Sequence, residues 1–163
     1  MRHALLLLCL AAAGSQAQTL MERARTDQVV TMDAEDAAMK QAYARAQASL
    51  DSFLGDALSP SPRNSNHAVK VRVRDGALTE YFWVGQVRRS EQRFKGVVDN
   101  EPRLVKNVRM GQEISFAQAA IVDWLYTAPN GAMQGAFTTC VLLSREKPEE
   151  ARALAAHLQL RCK

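Results

Sequence analysis

The sequence predicts an α+β domain, in which an antiparallel sheet of about five or six strands is flanked by an N-terminal amphipathic helix and a C-terminal helix. Two observations predict this class. First, the strand patterns lie together between a helical pattern at residues 33–55 and another that begins at residue 148. Second, short turns join the strand patterns, with no crossover helix between them. Strands connected in this way pair antiparallel, and the two end helices can then cover the sheet.

The first helix is predicted to begin at Asp33, a good N-cap, and to end at Gly55. Glu35 and Asp36 suit the positive end of the helix dipole, and glycine readily forms a left-handed C-cap. Between these limits apolar residues recur at three- and four-residue spacing, which places them on one helix face. They are Met39, Ala42, Tyr43, Ala46, Leu50, Phe53 and Leu54.

Strand patterns follow a linker at residues 59–66, in which prolines prevent a helix or a strand ladder. In the first strand Val69, Val71 and Val73 alternate with basic residues, and Asp75 and Gly76 form a strong hairpin signal. The second strand, at residues 81–84, is apolar on both faces, which predicts a central place in the sheet. Further strands are predicted at residues 94–98, 113–116, 121–126 and 135–143, with a turn at residues 129–131 before the last.

The C-terminal helix is predicted to begin at Pro148. Proline suits the first helical position, and the acids Glu149 and Glu150 suit the positive end of the helix dipole. Leu154 and Leu158 share one face of this helix and are predicted to dock it on the sheet.

The first 17 residues have the three-part layout of a secretory signal peptide. Arg2 makes the start basic, an apolar run covers residues 4–13, and Ser15 and Ala17 supply the small residues of a cleavage site. Cleavage after Ala17 would place the mature protein in the periplasm or outside the cell. The expected organisation is a signal peptide at residues 1–17, a flexible leader at residues 18–32 and one domain at residues 33–163.

Removal of the signal peptide leaves Cys140 and Cys162 as the only thiols. Two cysteines in an exported chain predict one disulfide, because compartments outside the cytoplasm are oxidising. The bridge would close a loop of about 22 residues and stabilise the domain by roughly 3 kcal/mol. The alternative is two unpaired buried thiols.

Several short phrases carry a family resemblance when they are taken in order. They are the helix pattern from Met39 to Phe53, Val69-Lys70-Val71, Phe82-Trp83-Val84, Phe94 with Gly96, Asn100-Glu101-Pro102, Gly111, Ile121 with Asp123-Trp124 and Tyr126, Asn130-Gly131, and Gly135 with Phe137-Thr138. The ordered set resembles the YegJ-like family of bacterial domains of unknown function and covers residues 33–143. The resemblance implies no particular activity, since the family is known chiefly by its sequence pattern.

Asp123 is the most prominent candidate site residue, because it lies in an apolar strand between Val122 and Trp124. A carboxylate in that place needs hydrogen-bond partners or contact with water. The functional interpretation makes it a ligand or partner anchor, or a general base. The structural interpretation makes it an acceptor for backbone N–H groups or for an arginine across the sheet. Trp83 and Trp124 are predicted either to pack in the core or to line a surface groove.

Basic residues suggest a second candidate surface. Lys70, Arg72 and Arg74 share the strand face opposite the valines. Further basic residues that could extend this surface are Arg88, Arg89, Arg93 and Lys95. An acidic envelope protein is the partner that such a surface would suit, whereas the alternative is an ordinary solvated face that discourages edge pairing. The formal net charge is only +4, and nucleic acid is not an expected partner outside the cytoplasm.

Two functions therefore remain open. The leading interpretation is an exported, non-catalytic binding module of the cell envelope, such as an inhibitor or immunity protein. The alternative is an envelope hydrolase or other enzyme that uses Asp123 in a tryptophan-lined cleft, with a second carboxylate or His67 in reach. The sequence contains no phosphate-binding glycine loop, nucleophile motif or metal-ligand spacing, so neither a cofactor nor a metal is expected. No transmembrane segment is expected either.

Overall fold

A six-stranded antiparallel sheet organises the part of the chain that the computed structural model describes, residues 36–162. Helix α1 spans Ala37–Ala57, and the strands are β1 Ser65–Asp75, β2 Leu78–Ser90, β3 Arg93–Val98, β4 Glu113–Phe116, β5 Ile121–Thr127 and β6 Met133–Gly135. Helices α2 Phe137–Leu143 and α3 Pro148–His157 follow. The α+β class is confirmed. The predicted signal peptide, the leader and Asp33 lie outside the described residues.

The strand order is β4-β3-β2-β1-β5-β6, so β2 has the predicted interior place. The hairpin signal is also confirmed, because β1 and β2 pair with Asp75 opposite Leu78. Farther along β1, Lys70 lies opposite Trp83 on one neighbouring strand and opposite Asp123 on the other. These three residues therefore share one sheet face near its centre.

Two apolar clusters cover the two faces of the sheet. Helix α1 covers the first, where Leu50, Phe53 and Leu54 pack with valines and aromatic residues of the strands. On the second face Leu143 of α2 and Leu154 of α3 pack against sheet residues that include Trp83 and Leu125. Leu154 thus docks α3 on the sheet, as predicted. No helix among residues 36–162 is long and apolar enough to cross a membrane.

Cys140 and Cys162 form the predicted disulfide, with Cα atoms 5.4 Å apart. The bridge joins α2 to the segment that follows α3. Leu160, in that segment, forms an isolated bridge with Met133 of β6 and is buried. The C-terminal segment is therefore fixed to both α2 and the sheet edge.

The boundaries of α1 differ from the prediction. Its N-cap is Asp36, whose carboxylate accepts a hydrogen bond from the Met39 N–H at 2.9 Å. Gly55 does not end the helix, because Leu54 packs in the core and the Leu58 N–H bonds to the Leu54 carbonyl at 3.0 Å. Core packing thus carries the helix past the glycine to Ala57.

The prediction of a strand at residues 135–143 was wrong beyond its first residue. β6 ends at Gly135, and Ala136 adopts a left-handed conformation with φ 50° and ψ 40° that turns the chain into α2. The β-branched residues of the segment suggest a strand, but a carboxylate from β5 bonds to the first N–H groups of α2. This long-range contact outweighs local propensity.

Candidate functional site

Asp123 is fully buried on β5, and its carboxylate accepts four hydrogen bonds. Oδ1 accepts from the backbone N–H of Trp124 at 2.8 Å and from that of Phe137 at 3.3 Å. Oδ2 accepts from the N–H of Thr138 at 2.8 Å and from its hydroxyl at 2.7 Å. The carboxylate therefore satisfies first-turn N–H groups of α2, which have no partner within the helix. These contacts are those of a structural acceptor.

Lys70 completes a polar cluster of three side chains with Asp123 and Thr138. Its ammonium donates to the Thr138 hydroxyl oxygen at 3.0 Å and lies 5.2 Å from the centre of the Trp83 ring. Lys70 is half-buried, whereas Thr138 is 2 % exposed. The Lys70–Thr138–Asp123 cluster joins β1, α2 and β5.

Burial has the largest influence on the pKa values of Asp123 and Lys70 in this cluster. It raises the pKa of Asp123 above its ordinary value of 3.8, while the Thr138 hydrogen bonds and the Lys70 charge oppose the rise. It also lowers the pKa of Lys70 below 10.5, which the Asp123 charge opposes. A hydroxyl with an amine beside it is the pair of groups that a nucleophile and its activating base require. Here, however, the hydroxyl is buried and donates to the Asp123 carboxylate, so its oxygen does not face solvent.

Two tyrosines lie near the cluster, and neither is among the site residues predicted from the sequence. The Tyr43 ring of α1 lies 6.4 Å from the Tyr81 ring of β2. Burial raises the pKa of Tyr43 above 10.0, and the neighbouring Tyr81 and Asp123 add to the rise. Both tyrosines are half-buried.

The two tryptophans do not line a common cleft, because they lie on opposite faces of the sheet. Trp124 packs in the main core against Phe53 and donates its indole N–H to the Ala46 carbonyl at 3.0 Å. Trp83 belongs to the second cluster, beneath α2 and α3. A surface depression of about 480 Å³ lies elsewhere and is lined in part by residues of β4. Neither Asp123 nor a tryptophan lines it.

The basic residues differ in burial and in pairing. Lys70 is held by Thr138, whereas Arg72 and Arg74 are exposed, as are the paired Arg88 and Arg93. Arg88 forms an ion pair with Glu113 at 2.5 Å, and Arg93 donates to the Ser115 hydroxyl and carbonyl. Lys95 lies opposite Arg88 on the same face, but Arg89 lies 5.0 Å from the Phe94 ring on the core side.

His67 does not approach Asp123. Its ring bonds at 2.9 Å to Asp56 at the end of α1, and Asp56 also accepts from the backbone N–H of Arg63 and the side chain of Asn64. These bonds, led by the one from Arg63, hold the pKa of Asp56 well below its ordinary value. Within residues 36–162 no group of three His, Cys, Asp or Glu side chains could hold a metal ion.

Glu80 is a second buried carboxylate, and it is not among the site residues predicted from the sequence. It is 1 % exposed on β2 and accepts from the backbone N–H groups of Arg103, Leu104 and Val105 at 2.9, 2.9 and 3.1 Å. It therefore fixes the loop between β3 and β4. The sequence places Glu80 just before the predicted strand at residues 81–84, whereas β2 begins at Leu78, so the pattern did not indicate a carboxylate inside a strand.

Comparisons with known proteins agree on a family without an assigned activity. The family model described as "Uncharacterized protein conserved in bacteria (DUF2314)" matches residues 36–159. "Uncharacterized protein YegJ" of Escherichia coli (strain K12) is 34 % identical over 133 residues, which cover 82 % of this chain and 85 % of that protein.

A shorter similarity connects the chain to a larger protein. "Putative ankyrin repeat protein" of Neisseria meningitidis serogroup B is 29 % identical over 76 residues, which cover 47 % of this chain and 30 % of that protein. No solved structure matches the chain. The family model and the Escherichia coli relative show that this chain belongs to the DUF2314 family of bacterial proteins, in agreement with the YegJ-like resemblance of its sequence.

Proposed function

We propose that this chain is an exported, non-catalytic binding module of the bacterial cell envelope, of the inhibitor or immunity type, and that its partner is an acidic protein. The observation that carries the proposal is the environment of Asp123. All four hydrogen bonds at its carboxylate come from the protein itself, so the residue is used to attach α2 to the sheet.

Two further observations support the proposal. The disulfide between Cys140 and Cys162 suits an oxidising compartment outside the cytoplasm. The Neisseria relative contains the similar segment as 30 % of a longer chain that is named for ankyrin repeats. Such repeats form extended binding surfaces, and a module combined with them fits a binding role better than an independent activity.

The proposal can be tested by capture and reconstitution. The protein is purified from cells that express the full chain, immobilised, and exposed to an envelope extract at low and at high ionic strength. We expect an acidic protein to be retained at low ionic strength and to bind more weakly at high ionic strength, because screening reduces the attraction between opposite charges. The partner is then purified and mixed with the chain, and size-exclusion chromatography should show a stoichiometric complex.

Thr138→Val is the matched variant for the enzyme alternative, because it removes the one hydroxyl in the Lys70–Thr138–Asp123 cluster while it keeps the side-chain shape. A binding module should form the same complex with this variant. The proposal would be contradicted if none of the retained acidic proteins formed a complex with the purified chain. It would also be contradicted if the wild type chemically converted its partner and Thr138→Val abolished that conversion.

A further inference from the structure

Strand β4 is an open edge of the sheet. The strand order places β4 at one end and β6 at the other. At the β6 end the Met133 N–H bonds to the Gln159 carbonyl at 3.0 Å, so the C-terminal segment covers that edge. Among residues 36–162 no strand pairs with β4 on the side away from β3. A sheet edge of this kind can accept a further strand from another chain.

The hydrogen-bond pattern shows which backbone groups of β4 point outward. The Gln112 carbonyl accepts from the Val98 N–H of β3 at 2.9 Å. Successive residues of a strand direct their backbone groups to opposite sides, so those of Glu113 and Ser115 point away from β3. The Ser115 carbonyl accepts from the Arg93 side chain at 3.0 Å. In the described part of the chain, the N–H groups of Glu113 and Ser115 and the Glu113 carbonyl have no hydrogen-bond partner.

One face of this edge is apolar. The surface depression of about 480 Å³ lies there, and we call it the β4 depression. Its half-buried apolar lining consists of Val73, Ile114, Ala117 and Ala120. Ile114 points to the same side of β4 as the core residue Phe116, because alternate residues of a strand share a face. A volume of this size accommodates apolar side chains of an added strand.

The other face of the edge is basic. Arg93 and Lys95 share this face of β3, and Lys95 lies opposite Arg88 of β2 and opposite Ser115 of β4. Arg88 forms an ion pair with Glu113 at 2.5 Å, so these neighbouring positions hold three cations and one carboxylate. Arg93 is exposed, and its guanidinium has N–H groups beyond the two that bond to Ser115. Carboxylates on this face of an added strand would complement the excess positive charge.

We infer that the β4 edge is the partner-binding site, and that an extended segment of an acidic protein pairs with β4, places apolar side chains in the β4 depression and directs carboxylates to Arg93 and Lys95. This inference rests on the proposed function and names the site and the chemistry of binding. A strand in which acidic and apolar residues alternate meets both faces, since every second side chain points to the same side. Main-chain hydrogen bonds to the edge provide affinity, and the alternate side chains provide specificity.

A phage-displayed library of random dodecapeptides provides a defined probe. Peptides enriched on the purified full chain should alternate aspartate or glutamate with large apolar residues. N-methylation of alternate residues in fluorescein-labelled copies removes the N–H groups on one side of the bound strand. Methylation of the set that faces β4 should weaken binding at least about tenfold, whereas methylation of the other set should leave the affinity unchanged.

Variants of the protein locate the site. Ala120→Leu fills the β4 depression and should weaken peptide binding at least about tenfold. Ala44→Leu is the matched control, because it adds the same side chain at an exposed position of α1, and its affinity should equal that of the wild type. Ser115→Pro removes an outward N–H of the edge and should also weaken binding, which provides a second test if Ala120→Leu does not fold.

Charge reversal provides a further arm. Arg93→Glu/Lys95→Glu should slow association with the peptides at low ionic strength, whereas Arg161→Glu, at an exposed position near the C-terminus, should not. Acidic peptides that bind every variant and both methylated sets equally well would overturn the site and leave the proposed function intact. No enrichment of acidic peptides would count against both. A dimer of the chain itself that Ser115→Pro dissociates, without peptide binding, would overturn the inference in favour of a second copy at this edge.

Discussion

The carboxylate of Asp123 on β5 accepts both the backbone N–H and the hydroxyl of Thr138, at 2.8 and 2.7 Å. This pair attaches the start of α2 to the centre of the sheet. It also fixes the hydroxyl to which the Lys70 ammonium donates. Asp123, a candidate general base when only the sequence is considered, thus stabilises the attachment of the C-terminal helices.

Asp123→Asn should lower the free energy of unfolding by about 3 kcal/mol, because an amide NH₂ would face N–H donors that the carboxylate now satisfies. Urea denaturation of the purified protein measures the change. Asp51→Asn is the control, since Asp51 makes an exposed hydrogen bond to Gln118 and its loss should cost less than about 0.5 kcal/mol. A cost for Asp123→Asn as small as that of the control would contradict the structural role.

Lys70 and Thr138 should be energetically coupled. A double-mutant cycle with Lys70→Met and Thr138→Val should give an interaction energy of about 0.5–1.5 kcal/mol, because their side chains share a hydrogen bond of 3.0 Å. Lys70→Met alone should cost little, since replacing a partly buried ammonium with an apolar chain offsets the lost bond. Additive effects in urea denaturation would show that the hydrogen bond contributes no stability.

The sequence predicted the class and most strands because their signals are local. Alternation in β1, the Asp75–Gly76 turn and the apolar character of β2 all lie within a few residues. For Asp123, the sequence left two alternatives open, a functional site residue and a structural acceptor. Its partner Thr138 could not be found, because the left-handed Ala136 and the long-range bonds convert an apparently strand-forming segment into α2.

Two glycines should respond to alanine with opposite signs. Gly135 has φ +82°, and an added Cβ would collide with the Trp124 carbonyl oxygen and lie 2.6 Å from a carbon of its ring. Gly135→Ala should therefore destabilise by at least about 2 kcal/mol. Gly55 lies inside α1 with open space around an added Cβ, so Gly55→Ala should stabilise by about 0.5–1 kcal/mol. Thermal and urea unfolding check both. Destabilisation by Gly55→Ala would instead support the predicted C-cap.

Asp56 should contribute to unfolding in acid. Its pKa is held below 3.8 in the folded protein, so the stability it contributes is present above pH 3.8 and is lost as the pH falls below that value. Asp36, whose pKa is lowered chiefly by its hydrogen bond to Arg145, adds to the same effect. Asp56→Asn should reduce the dependence of the unfolding free energy on pH between about 5 and 2. An unchanged slope in Asp56→Asn would refute this assignment.

The disulfide should stabilise the C-terminal helices. Its loop spans a sequence separation of 22, for which the chain-entropy model gives about 3 kcal/mol. Cys140→Ser/Cys162→Ser should lose stability of that order, and dithiothreitol should destabilise the wild type but leave the double variant unchanged. Equal stability of the wild type with and without reductant would show that the bridge is absent or contributes nothing.

Calorimetric titration of the purified partner into three forms of the protein tests most directly whether function depends on a binding surface and not on the Lys70–Thr138–Asp123 cluster. We predict that the wild type and folded Thr138→Val bind with the same affinity, and that Arg72→Glu/Arg74→Glu, which reverses two exposed positive charges on one strand face, binds more weakly at low ionic strength. Loss of binding in folded Thr138→Val, with full affinity in Arg72→Glu/Arg74→Glu, would contradict the account.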